Sequence, residues 1–324
     1  MARRILGSII GAIAVGAALA LPGSAAGDGA PAPFTTYGVS GPTGLEYMAV
    51  PHRHGATAVR KLDHKKTLAS KNLNRPFAVP GVTVHALPDG LSADGGTLVL
   101  VNPRQRVSDG PTHVIVLDAD SLRVIQRLRL SGGFTFDAIS PDGSSIYFIQ
   151  YLSPQDPTKY AVREYDVPEG QLLREPIVDP NEHAGEMRGF ALDRVTSPDG
   201  RWAYTLYDGG GGEPFVHALD TVKGRAVCVD LDDFVAASQV HDVRMAVDPA
   251  GDRLTLTAKR VPLAVIDAGT LHASAPPAPA DTSGDDEGAP WVLIGLAAAL
   301  GLGVGAAVVA TRRHRGSGLA TPDA

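Results

Sequence analysis

One cysteine, Cys228, is all that the 324 residues contain. No intramolecular disulfide can form, so an exported domain built from this chain is held by its core alone. Within RAVCVDL the residue reads as a small strand side chain rather than a nucleophile. Positive charge is not in excess either: 29 Lys and Arg stand against 35 Asp and Glu, a net charge of -6, which argues against nucleic acid as a partner. No G-x-S-x-G elbow is present to expose a catalytic serine. The stretch YDGGGGEP has the glycine content of a phosphate cradle, but it lies between two predicted strands and lacks the helix whose N-terminus would hold an anion. It reads as a hairpin loop.

The two ends carry what the middle lacks, long uncharged runs. Arg3 and Arg4 precede the uncharged residues 5–21, and small Ser24 and Ala26 follow at the spacing of a signal peptidase site. Residues 1–26 are therefore expected to be a signal peptide, followed by a short mature N-terminal segment, 27–34. Residues 291–310 are free of charge over twenty positions, enough for a helix to cross a bilayer. Arg312, Arg313 and Arg315 follow directly, while DTSGDDEGAP precedes. This bias places the tail 311–324 in the cytoplasm and everything before Trp291 outside. Residues 275–290, rich in Pro, Ala and acid, are expected to form a solvated stalk. Gly301 and Gly305 have small-xxx-small spacing, a weak motif in so Ala- and Gly-rich a helix.

Between these ends the chain repeats. Turns ending in glycine recur at Gly44, Gly95, Gly143, Gly200 and Gly251, at intervals of 51, 48, 57 and 51 residues. A second marker, an apolar run ending in aspartate, recurs at Asp63, Asp118, Asp166, Asp220 and Asp267, at intervals of 55, 48, 54 and 47. In the best copies, SPDG at 140–143 and 197–200, Pro presets φ, Asp suits the third turn position, and Gly takes the left-handed position that closes a hairpin. The runs that follow, such as SIYFI and TLVLV, have the β-branched and aromatic content of strands. A third strand ends at the repeated Asp, and a fourth follows a short turn. Each unit is predicted to be a four-stranded antiparallel meander. Five such units at a period near fifty residues predict an all-β chain, a β-propeller of about five blades over 35–274. A β-sandwich is the competing architecture.

The SPDG turns with their IYFI or AYTL strands, and the strand pair VIVLDADSLRVIQRL, resemble the YVTN and TolB-like members of the WD40-like propeller superfamily. The resemblance implies the fold and says little about activity. The sequence departs from YVTN repeats in carrying Gln150, Tyr207 and Ala258 where an Asn follows the second strand, and it has no Trp-Asp repeat ending.

In a propeller the loops between second and third strands, and those between blades, gather at one end. Here they are long and polar, with His52, His54, Arg104, Arg106, Glu182, His183, Arg188, Asp208 and His241 as candidate ligand- or partner-binding residues. The opposite end has tight turns. His52 with His54, and His183 with Glu182 or Glu186, are metal-ligand types, but such spacings in loops are common by chance, so no metal site and no cofactor are expected. The functional expectation is a membrane-anchored extracytoplasmic module that binds a small ligand or another protein at the cell envelope. The alternative is a cell-surface, lactonase-like hydrolase using His and acidic residues of the same end.

Overall fold

The repeated serine and aspartate earn their places through hydrogen bonds. In the turn at 140–143 the Ser140 hydroxyl donates to Asp142 at 2.8 Å and accepts the Ser145 amide at 2.9 Å, while Asp142 accepts the Ser144 amide at 3.0 Å. Ser197 and Asp199 repeat this arrangement with the amides of Trp202 and Arg201, and Ser92 and Asp94 with those of Thr97 and Gly96. These bonds hold the Asp142 and Asp199 carboxyls below the usual carboxylate range. The second marker is a turn device as well. Asp118, Asp166, Asp220 and Asp267 each accept backbone amides two or three residues ahead, closing the turn into the fourth strand.

A computed structural model of the chain describes residues 34–277, apart from 105, 107–109, 154–155, 157 and 182–186. The expected signal peptide, most of the stalk, the apolar run 291–310 and the tail lie outside the described residues. Among the described residues no helix is long and apolar enough to cross a membrane.

After β1 (Phe34–Thr35), the first blade-like sheet comprises β2 (Val39–Ser40), β3 (Glu46–Pro51), β4 (Thr57–Asp63) and β5 (Lys66–Leu73). Next come β6 (Val79–Val82) and β7 (Leu87–Pro88), then the second sheet of β8 (Thr97–Val101), β9 (Thr112–Asp118) and β10 (Val124–Leu130). The third contains β11 (Gly133–Ile139), β12 (Ser145–Tyr151), β13 (Lys159–Asp166), β14 (Gln171–Leu172) and β15 (Met187–Arg188). The fourth is β16 (Ala191–Thr196), β17 (Trp202–Tyr207), β18 (Phe215–Asp220) and β19 (Arg225–Asp230). The fifth is β20 (Val243–Val247), β21 (Arg253–Ala258), β22 (Val261–Asp267) and β23 (His272–Ser274).

The second sheet departs from the expected four-stranded meander. Its inner strand is split: Ala78 exchanges two backbone hydrogen bonds with Val101, and Gly90 and Ser92 resume the pairing with Val99 and Thr97. The intervening residues 79–89 leave the sheet as a hairpin of β6 and β7. With β1 this hairpin makes a sixth small sheet, in the order β1-β6-β7. Gly90 is required at the return point. Its φ is 100°, and a Cβ there would lie 2.7 Å from both Pro80 and the Val99 carbonyl.

Alternate residues of each middle sheet serve two neighbours. Leu98 and Leu100 pack toward the first sheet, and Val99 and Val101 toward the third. Ile146 and Phe148 face the second sheet, whereas Tyr147 and Ile149 face the fourth. This is why TLVLV and SIYFI are apolar throughout instead of alternating. The end sheets do alternate, as in EYMAVP of β3 and RLTLTA of β21, because only one face is covered. Four hydrophobic clusters thus join the five blade-like sheets in series, and among the described residues none joins the fifth to the first.

Turns pack on one another as well, and not only between neighbours, since Gly200 of the fourth sheet lies against Ala93 of the second. A Cβ on Gly95 would touch Pro42 of the preceding sheet, one on Gly251 would touch Pro198, and one on Gly200 would collide with Ala93 at 2.3 Å. At Gly44, in the first sheet, it would meet nothing within 4 Å. Gly44 and Gly200 share a φ of 76°, so alanine costs the same backbone strain at both. Gly44→Ala is expected to lower stability by about 1 kcal/mol. Gly200→Ala should lose a further ~1–3 kcal/mol from the collision. Urea unfolding of the two variants measures the difference.

Candidate functional site

The inner strands β11 and β16 carry buried charges. Asp137 and Arg194 form an ion pair from Nη2 of the guanidinium to Oδ1 of the carboxylate. Their side chains are only 2 % and 5 % exposed. Removing two charges from water costs several kcal/mol each unless the pair's remaining hydrogen-bonding capacity is met. Here it is not met by the protein. Asp137 Oδ2 and Arg194 Nε and Nη1 have no hydrogen-bond partner of acceptable geometry, and the hydroxyls of Tyr160 and Tyr207 have none beyond each other.

These groups line a cavity with about 60 Å³ of space open to water-sized occupants. Its walls come from Thr135 to Asp137 of β11, Ile149 and Tyr151 of β12, Tyr160 of β13, residues 189–191, Arg194 of β16 and Tyr207 of β17. The remaining wall is the hairpin tip, Val82 to Val84. Its amide at Val84 donates to the Ala191 carbonyl at 2.9 Å, which docks the hairpin on the fourth sheet. Tyr160 sits between Tyr151 and Tyr207, with ring centres 6.0 and 5.7 Å away. Burial raises all three phenols, Tyr151 to about 12, so each remains a neutral donor at neutral pH.

Behind Tyr207, His217 is buried edge-on to the phenol ring at 6.3 Å. Burial drives its pKa down to about 4, so the imidazole is neutral. Cys228 lies directly across the strand pair, half-buried on β19, with Sγ 4.0 Å from His217 Nδ1.

Toward the tight-turn end, Asp89 follows the hairpin and lines a second cavity of about 250 Å³ with Val39, Ser40, Ala138, Thr196 and Ser197. Desolvation raises its pKa to about 6, opposed by the nearby Arg194 charge and the Gly90 amide, which donates to it at 2.6 Å.

Of the residues singled out from the sequence, the structure brings two together. Exposed Arg188 on β15 and half-buried Asp208 both adjoin residues of the cavity wall: Arg188 precedes Gly189, and Asp208 accepts the Phe190 amide at 2.7 Å and the Gly210 amide at 3.0 Å. Gly189 sits between them with φ 100°, and a Cβ there would strike Asp208 Oδ1 at 2.4 Å. Arg104 is placed differently from the surface role expected of it. It is buried and donates to the Gly110 carbonyl, the Thr112 hydroxyl at 2.7 Å and the Phe134 carbonyl at 2.8 Å, tying the second sheet to the third. Arg106 is exposed. His52 and His54 are exposed on the first sheet's loop, and His241 is exposed in the short turn Val240–Asp242 before the fifth. Glu182, His183 and Glu186 lie outside the described residues. Among the described residues no three His, Cys, Asp or Glu side chains converge to hold a metal.

The sequence reading missed Asp137, Arg194, Tyr160 and Tyr207, all on strands. The available signal was a charge inside an apolar inner strand, as in FTFDAIS and ALDRVTS.

No family model matches the chain, and no curated protein matches it. Solved structures do. Hydrazine synthase of Kuenenia stuttgartiensis is 16% identical with a TM-score of 0.42, covering 72% of this chain and 66% of that one. The β-propeller domain of Cps50 (Swd1) from Myceliophteria thermophila is 10% identical with a TM-score of 0.43, covering 70% and 62%. TolB of Acinetobacter baumannii is 15% identical with a TM-score of 0.37, covering 72% and 51%. The chain thus spans less than two thirds of the length of each, and the propeller-like assignment rests on its own six antiparallel sheets.

Because the folded-state pKa of Asp89 lies above its unfolded value, the native state binds the extra proton between pH 4 and 6. Stability from this group is therefore present at low pH and lost as pH rises toward 6 and beyond. Asp89→Asn should abolish that decline. Melting temperatures of the two proteins from pH 4 to 7 provide the comparison.

Proposed function

We propose that this protein is a recognition module of the cell envelope: a propeller held outside the membrane by residues 291–310, with its looped end receiving a ligand or a partner's side chain at the cavity mouth. One observation carries the reading. A cavity with unmet hydrogen-bonding capacity opens beside exposed apolar side chains, Val84 at 51 % and Phe190 at 39 % exposure, with Arg188 and Asp208 adjacent. Polar groups able to orient a ligand within apolar walls are the usual composition of a binding pocket. Rigid strands set the polar groups, and the loops supply the rim. Extracytoplasmic placement is supported by the charged and uncharged runs at both ends of the sequence.

A photo-crosslinking residue at Phe190 is expected to capture the partner or ligand in cells, whereas the same probe at Val222, exposed at the tight-turn end, captures none. Equal labelling at both would remove the basis for the looped end. Topology is tested separately. Protease added to cells stripped of any outer barrier should digest the propeller and spare a small fragment containing residues 311–324; an intact propeller would contradict the export.

A further inference from the structure

The cavity specifies the chemistry of what enters it. Its unmet groups are mainly donors: the Nε and Nη1 hydrogens of Arg194 and the one hydroxyl hydrogen that the Tyr160 and Tyr207 pair leaves over. Asp137 Oδ2 is the acceptor among the unmet atoms of the charged pair. The paired charges of Asp137 and Arg194 cancel, and Asp89, whose carboxylate also acts on Arg194, is neutralised by its own proton below about pH 6, so the site then offers hydrogen-bond donors at no net charge. Asp89 faces the other cavity, toward the tight turns.

The space of about 60 Å³ holds a head group of a few heavy atoms, since a water in liquid occupies about 30 Å³. Anything larger must extend past Val84 and Phe190, which are apolar and exposed. An acceptor-rich, compact head with an apolar neighbour matches both demands.

Resting on the binding role proposed above for this end, we infer that the cavity takes a carboxylate attached to an apolar group, with Arg194 and the Tyr160 and Tyr207 pair donating to its oxygens and Val84 and Phe190 covering the apolar part. Charge-assisted hydrogen bonds of this kind are stronger than neutral ones, and guanidinium groups suit carboxylates. Two sources share this chemistry, a free organic acid and the C-terminal carboxylate of a peptide.

Titration of the full-length purified chain distinguishes them. Phenylacetate is compared with phenylacetamide, and acetyl-Ala-Phe with its C-terminal amide, by calorimetry. Preference for either acid over its amide by tenfold or more supports the inference and names the source; equal binding of acid and amide in both pairs, or binding of none, overturns it. Tyr160→Phe and Tyr207→Phe keep the fold testable, because each removes a hydroxyl with no protein partner beyond the other phenol and leaves the ring packing in place. Each should weaken the acid by about tenfold or more with the cooperative unfolding transition retained. Unchanged affinity in both variants overturns the role of the phenols. If crosslinking from Phe190 persists while no acid binds, the binding end stands and the carboxylate chemistry alone falls.

Discussion

Two backbone contacts to one strand, Ala78 on Val101 and Gly90 on Val99, decide what lies between the sheets. Because both ends of the excursion are fastened to β8, residues 79–89 must leave and return within a few ångströms. They do so as a hairpin, the arrangement that satisfies their own backbone groups away from the sheet. Thr83 and Ala86 adopt positive φ at its tip, and the Val84 amide finds the Ala191 carbonyl. Without that insertion Arg194 and Asp137 would face open solvent. With it they are enclosed, and the cavity acquires its fourth wall.

A buried ion pair is weak evidence of stabilisation, since apolar residues of similar volume often serve as well. Asp137 and Arg194 are the more informative for leaving bonding capacity unused, and for standing beside three phenols instead of in a dry interface. Other charged groups at sheet boundaries bond across them. Asp193 accepts the Met245 amide at 2.7 Å, Asp179 accepts the Cys228 amide at 2.7 Å, and Lys61 meets Asp120 at 2.6 Å. Those groups bind neighbouring sheets to one another. The contrast separates residues that hold the stack from residues that face a cavity.

The five-fold rhythm was legible because its markers are local: serine, aspartate and glycine perform their bonding within a few residues of their own positions. Strand ends at Asp63, Asp118, Asp166, Asp220 and Asp267 follow for the same reason. The split strand was not legible, since RPFAVPGVTVHALPDG contains the turn chemistry of an ordinary connection and only its partner on β8 shows that it is an insertion. Nor was the site. Looped polar residues pointed only to one end of the molecule, and of them Arg188 and Asp208 adjoin residues of the cavity wall. Arg104 shows the weakness of that reasoning, because an arginine in a loop can be turned inward by carbonyls thirty residues away. The cavity's own residues come from different strands, and no spacing in the sequence records their meeting.

The serial packing of the sheets has a consequence for how the chain opens. Each middle sheet is clamped on two faces, while the first and fifth are each held through one hydrophobic cluster. In such a stack stability is shared between nearest neighbours, so an end unit can detach while the remainder stays folded. The cavity, built from the third and fourth sheets and the hairpin of the second, lies in the middle of this series. A cavity so placed is expected to keep its shape when an outer sheet detaches.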